Sequence, residues 1–321
     1  MGAARGRETH ATPLPDFDVF AVPLTGFVEE YLAALSVAGR SPRTIEWYRA
    51  NLREFCAFLE RDGAAASVGD LQPAKVRRWL LALGSRQRAL APASLAGRVR
   101  TLKAFGTWVA AELDLEANPL RAVPMPRVPA KLVPSLREQQ IAALISACET
   151  SRDPVRDRAI VMFMLDTGVR VAEVAGLRIR DLDLVDGRCH VLGKGSRERL
   201  VPVGRRARKA VRAWLATRRR VSADAPLFSG PGGVGLTTRG FHQLIGRLAR
   251  RAQLDTRCSP HILRHTFARA FLVNGGDLFS LQRILGHSPT SIQVTRRYVD
   301  LLDDDLRAVH RRASPMDRLT R

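Results

Sequence analysis

Lysine is scarce in this 321-residue chain: there are five, against 47 arginines. Tyrosine is scarcer still, with three, and all aromatic residues together make up 6%. The four cysteines, Cys56, Cys148, Cys189 and Cys258, stand far apart and form no CxxC pair. That excludes a disulfide framework or zinc knuckle and leaves buried, reduced thiols as the expectation. No apolar run approaches the ~20 residues needed to cross a bilayer, so no membrane partner is expected. Arg5 and Arg7 have no apolar stretch behind them, so the start of the chain does not read as a signal peptide. Residues 1–18 read instead as a flexible leader on a cytoplasmic protein. There is no GK[ST] phosphate loop, and the motifs described below have no carboxylate cluster suited to Mg²⁺. No metal and no other cofactor is therefore expected.

Acids are also in short supply. Lys and Arg total 52 against 31 Asp and Glu, a net charge of +21, which points to a polyanionic partner, most commonly nucleic acid. Genome bias accounts for Arg replacing Lys but not for the excess over acids. Residues 1–120 hold 15 basic and 13 acidic side chains, whereas residues 121–321 hold 37 and 18. Within the first part the charges segregate. Residues 16–62 contain eight acids and five bases, and residues 71–111 contain eight bases and no acid. The polyanion is expected to touch both parts of the chain.

The first part reads as helices. Ser41-Pro42 is a capping hydroxyl followed by proline at the first helical position. Ile45, Tyr48, Leu52, Phe55, Phe58 and Leu59 then recur at helical spacing until Gly63. Similar segments at 24–35, 73–83 and 94–113 make a four-helix module over 19–118. Pro119, Pro124, Pro126, Pro129 and Pro134 then mark an extended linker over 119–135. Residues 136–315 read as a second domain with a C-terminal tail. Its helical patterns fall at 137–149, 154–166, 205–218, 238–252, 260–273 and 278–285. Two short strands, 188–192 and 199–203, flank Gly193-Lys194-Gly195-Ser196, a hairpin with Lys194 at its tip. The expected fold class is mainly α with a small β-sheet: a helical N-terminal domain, then a mixed, mostly helical α/β domain.

Four patterns in the second part carry chemistry. In Thr167-Gly168-Val169-Arg170-Val171-Ala172-Glu173, a glycine separates two helices and leaves Arg170 at a helix start, where backbone N–H groups also favour anions. Glu173 is one turn on and suited to orienting the guanidinium, although such pairs are commonly surface ion pairs. Lys194 can give up a proton, as Arg cannot, so it suits general-acid work; the bland alternative is a solvated turn lysine. In Pro260-His261-Ile262-Leu263-Arg264-His265, His261 and Arg264 share a helix face and together suit an oxyanion. His265 falls on the next face and reads as structural. Finally, Leu285-Gly286-His287 precedes Tyr298, the one tyrosine of this part, with Arg296-Arg297 beside it. A phenol needs nearby cations to become a nucleophile; the alternative is a tyrosine packing a terminal helix.

The order of these patterns is far more specific than any one of them. Arg, hairpin Lys, HxxRH, LGH and Tyr in this order resemble the tyrosine recombinases, the phage integrase and Xer-like family of site-specific recombinases, over almost the whole chain. "SPRTIEWYRANLREFCAFL" resembles the opening of the family's core-binding domain. "LGKGSRERLVPV", "HILRHTFA" and "LGH" resemble its catalytic domain. The resemblance implies a catalytic set of Arg170, Lys194, His261, Arg264, His287 and the nucleophile Tyr298, with Glu173 behind Arg170. It implies cleavage and rejoining of double-stranded DNA through a 3′-phosphotyrosine, without metal or ATP, by a homo-oligomer, a tetramer on two DNA sites. Leu301, Leu302, Leu306 and Val309, at helical spacing, would pack on a neighbouring subunit. Arg77, Arg78, Arg98 and Lys103, or the helix at 238–252, are candidate DNA contacts. The interval between His287 and Tyr298 is two residues longer than is usual in the family. A type IB topoisomerase would use the same residues, and a non-catalytic DNA-binding protein would need only the charge.

Overall fold

In the computed structural model, which describes residues 18–63, 65–85, 89–129, 134–193, 198–218, 221–286, 310 and 314, proline opens helix after helix. After α1 (Leu24–Val37), Pro42 begins α2 (Pro42–Leu59), Pro73 begins α3 (Pro73–Gly84) and Pro92 begins α4 (Pro92–Glu112). A proline at the first helical position gives up only an N–H that lacks an intrahelical partner anyway, and its fixed φ suits the helix. Ser41 caps α2 through its Oγ, which accepts from the Thr44 amide at 3.3 Å. These four helices enclose a core of Leu24, Val28, Leu52, Phe55, Trp79, Leu83, Val99, Leu102 and Phe105. Tyr31 is buried in it, its ring 5.7 Å from Tyr48 and 5.4 Å from Phe105. Burial, with Tyr48 beside it, pushes its phenol far above the usual tyrosine range, so it stays protonated.

The chain divides into two compact units, Met1–Ala130 and Lys131–Arg321. Leu120 and Val123, inside the proline-rich stretch, are fully buried in the first core. That stretch therefore begins as packed chain rather than as free linker.

The second unit runs α5 (Glu138–Ser146), α6 (Pro154–Thr167), α7 (Val171–Gly176), β1 (Leu182–Asp183), β2 (Arg188–Leu192), β3 (Glu198–Pro202) and α8 (Arg205–Ala216). It continues with α9 (Thr238–Arg251), α10 (Pro260–Val273) and α11 (Leu278–Leu285). The strands form one antiparallel sheet in the order β1-β2-β3, with Cys189 opposite Val201 and Val191 opposite Arg199. Strand periodicity turns Cys189, Val191 and Val201 inward into the core that also holds Ile160, Phe163 and Met164 of α6. The fold is thus mainly α with one small sheet. All four cysteines are buried and unbridged, and burial pushes the Cys148 and Cys189 thiols up to about 12. Among the described residues no helix is long and apolar enough to cross a membrane, and no His, Cys, Asp and Glu group is suited to a metal ion.

Candidate active site

The site is built where α6 stops. Gly168 takes φ +60 and donates its amide to the Met164 carbonyl, closing the helix with a left-handed residue that glycine adopts without strain. A side chain there would also run into the Phe267 ring on α10. Two residues later Arg170 stands at the cap position of α7, and Glu173 folds back onto it. One Glu173 oxygen accepts from the Arg170 amide at 2.7 Å and the other from Arg170 Nη1 at 2.8 Å. The pair at spacing i, i+3 is therefore no surface ion pair, because the Glu173 side chain is only 6% exposed.

The same carboxylate has a second cation. Arg199, on β3, donates Nη1 and Nη2 to the two Glu173 oxygens at 2.9 and 2.8 Å. Burial alone would raise the Glu173 carboxyl. The Arg199 hydrogen bonds, the Arg170 amide, the Arg199 charge and the Arg170 side-chain hydrogen bond outweigh it and hold the group below the usual glutamate range.

α10 supplies the next two residues. Pro260 starts the helix, and His261 and Arg264 follow on one face but at different depths. Arg264 is only 6% exposed and His261 stands at the surface. Arg264 Nη1 donates to the Gly168 carbonyl at 2.6 Å and Nη2 to the Leu285 carbonyl at 2.8 Å. Two residues on, Thr266 Oγ1 accepts from the Leu136 amide at 2.9 Å, tying the start of the unit to this helix. Although much of the side chain reaches solvent, partial desolvation of the ring pushes the His261 pKa down, and His242, Arg264 and Arg170 push it the same way. The His242 ring, on α9, lies 6.1 Å from it. His261 is thus shifted toward its neutral form.

These side chains converge on the end of α11. A helix leaves its last carbonyls without intrahelical partners, and the macrodipole makes that end negative. Here three consecutive carbonyls each receive a different arginine: Ile284 from Arg199 Nε at 2.8 Å, Leu285 from Arg264, and Gly286 from Arg170 Nη2 at 3.2 Å. Gly286, in the left-handed region at φ +64, ends the helix immediately before His287.

Arg170, Glu173, His261 and Arg264 are therefore assembled in one place. Lys194, His287 and Tyr298 lie outside the described residues, as do Leu301, Leu302, Leu306 and Val309. In the first unit, Arg77 and Arg78 are exposed on α3. Arg98 braces α4 against α2 through Glu54 at 3.0 and 3.1 Å, and Lys103 donates to the Arg121 carbonyl. Arg199 and His242 were not singled out as site residues from the sequence. Arg199 was visible only as an arginine trailing the lysine hairpin, and nothing in the local pattern marked His242.

The comparisons with known proteins agree in order along the chain. Residues 28–112 match the phage integrase N-terminal SAM-like domain, and residues 134–304 match the phage integrase family. A protein named tyrosine recombinase XerC from Xanthomonas campestris pv. campestris (strain B100) is 33% identical over 313 residues, 97% of this chain and 94% of the relative. The Tn1549 transposon integrase, solved with transposon right-end DNA, superposes with a TM-score of 0.70 at 19% identity, over 89% of this chain and 98% of that one. A lambda integrase tetramer bound to a Holliday junction gives 0.66 at 18% identity, over 84% and 78%. Both resemble this chain in fold. With the family matched over more than half its length and its N-terminal domain matched ahead of that, this chain belongs to the phage integrase family.

Proposed function

We propose that this chain is a tyrosine-type site-specific recombinase that cuts and rejoins double-stranded DNA through a covalent bond to Tyr298. The observation that carries the reading is the meeting of Arg170 and Arg264 on the Gly286 and Leu285 carbonyls, directly before His287. Two guanidinium groups thus meet at the last described residues before His287 in sequence, which supports the reading.

The Tyr298 oxygen attacks the scissile phosphorus, the bond to the 5′ oxygen breaks, and the DNA is left as a 3′-phosphotyrosine. Lys194 gives a proton to the departing 5′ oxygen. Arg170, 38% exposed and with N–H donors to spare, takes a non-bridging oxygen, and Arg264 supplies the second cation. His261 and His287 hydrogen-bond the phosphate or the phenol. Attack by a 5′-hydroxyl from another strand reverses the chemistry and rejoins the DNA. Two guanidinium groups and an ammonium offset the charge on phosphorus, so this route needs no metal. The phosphotyrosine keeps the bond energy, so it needs no ATP. Exchange between two sites takes four subunits, a tetramer like the solved lambda integrase assembly, acting in the cytoplasm. Arg77 and Arg78 contribute DNA contacts from the first unit.

A nicked suicide substrate tests the reading. The wild-type chain traps a covalent adduct, and Tyr298→Phe forms none while binding DNA with nearly unchanged affinity, because many phosphate contacts share the binding energy. An adduct on the Phe variant would remove Tyr298 as nucleophile. Relaxation of one-site plasmids without exchange on two-site DNA would make the protein a topoisomerase.

A further inference from the structure

The fold uses all three side-chain nitrogens of Arg199. Nη1 and Nη2 take the two Glu173 oxygens, Nε takes the Ile284 carbonyl, and the side chain is only 12% exposed. It sits on β3, five residues after Lys194. So placed, it joins the strand leaving the lysine hairpin to the end of the helix that leads into His287.

Glu173 is one carboxylate between two guanidinium groups. Arg199 holds it with a two-pronged fork, whereas the Arg170 side chain meets it through a single nitrogen. The forked pair is the stronger and satisfies both carboxylate oxygens. Arg170 is left as the more exposed cation of the two, with its other nitrogen on Gly286.

We propose that Arg199 is a positioning residue for strand cleavage: it occupies Glu173 and the Ile284 carbonyl at the end of α11, so that Arg170 keeps its charge for the scissile phosphate. The inference rests on the recombinase reading above. It also explains why the position carries arginine in a chemical sense, since a lysine ammonium offers no planar fork for a carboxylate and a carbonyl together.

The test measures adduct formation on the suicide substrate at saturating DNA, together with DNA affinity and the thermal transition. Variants are Arg199→Met, Arg199→Lys, Glu173→Gln and the two double variants. Arg199→Met is expected to slow adduct formation about 100-fold, as a displacement of the phosphate-binding group does. DNA affinity changes by less than about threefold. Arg199→Lys recovers little of the rate. The distinguishing result is Glu173→Gln in the Arg199→Met background. Removing the unmatched carboxylate releases Arg170 and restores the rate about tenfold over the single variant at temperatures well below both thermal transitions, where a purely structural brace would change the transition temperature and leave the rate of the folded protein unchanged. If Arg199→Met does not fold, the same comparison is made on Arg199→Lys. A wild-type rate in either Arg199 variant, or a double variant no faster than its parent, overturns the proposal. No adduct from the wild-type chain would instead overturn the recombinase reading itself.

Discussion

Gly286 lies directly against the guanidinium of Arg199: a Cβ placed on it would stand 2.9 Å from Arg199 Cζ, Nε and Nη1. The residue also sits at φ +64, where side chains are strained. Gly286→Ala therefore displaces Arg199 as well as straining the backbone, and a loss of about 1–3 kcal/mol is expected. Chemical denaturation gives that loss, and adduct formation measured well below the transition should fall further than stability explains. An alanine variant cleaving at the wild-type rate would show that the guanidinium yields without consequence.

Lys194→Arg keeps the charge of the hairpin and removes the transferable proton. Most of the cleavage rate should disappear on ordinary DNA and return on a substrate with a 5′-bridging phosphorothioate, whose sulfur leaves without protonation. Equal impairment on both substrates would make Lys194 an electrostatic group only.

His261 is held below the ordinary histidine value of about 6.5, first by burial and then by His242, Arg264 and Arg170. A folded-state pKa below the unfolded one means the unfolded chain binds the proton first. The His261 contribution to stability is therefore complete above the unfolded value and is lost as pH falls through the folded one. His242→Ala should raise the pKa of His261, read by NMR titration, yet leave it below the ordinary value because burial remains. Its acid limb of stability should shift in step. An unmoved His261 titration would rule out charge coupling between the two rings.

Residues 1–130 hold 17 basic and 13 acidic side chains, so deleting them barely alters net charge. The basic run at 71–111 nevertheless offers exposed Arg77, Arg78 and Arg100. Each phosphate contact contributes a slope of about −0.9 to log K against log salt. The 131–321 fragment, which has its own core, should bind more weakly and with a slope shallower by several units. Equal slopes in salt titrations of the two proteins would mean that the basic run is only a solvated face.

Much of this site was readable from local pattern. Arg170 and Glu173 are three residues apart, as are His261 and Arg264, so helical spacing alone pairs them. Ser41-Pro42 announced α2 for the same reason, since caps are local chemistry. The role of Arg199 was not readable. Its partners Glu173 and Ile284 lie 26 and 85 residues away in sequence, and only the packing of β3 against α7 and α11 joins them. β1, two residues long, exists because Leu182 pairs with Cys189, and no periodicity can show in so short a run. Leu120 and Val123 were hidden by the prolines around them, which forbid a helix but not burial. Arg98 and Lys103 stand out in the sequence as candidate DNA contacts, but charge patterning cannot show that they also bond Glu54 and the Arg121 carbonyl within the unit.

The three arginines on the last carbonyls of α11 also bear on the entropy of binding. A mobile arginine gives up about 2 kcal/mol of rotamer freedom when it is fixed. Arg170, Arg199 and Arg264 surrender much of that when the chain folds, on partners that belong to the chain. Little of the ordering cost of these three side chains is then left to be met when a ligand binds beside them. The affinity lost by loosening one of them should appear mainly as unfavourable binding entropy.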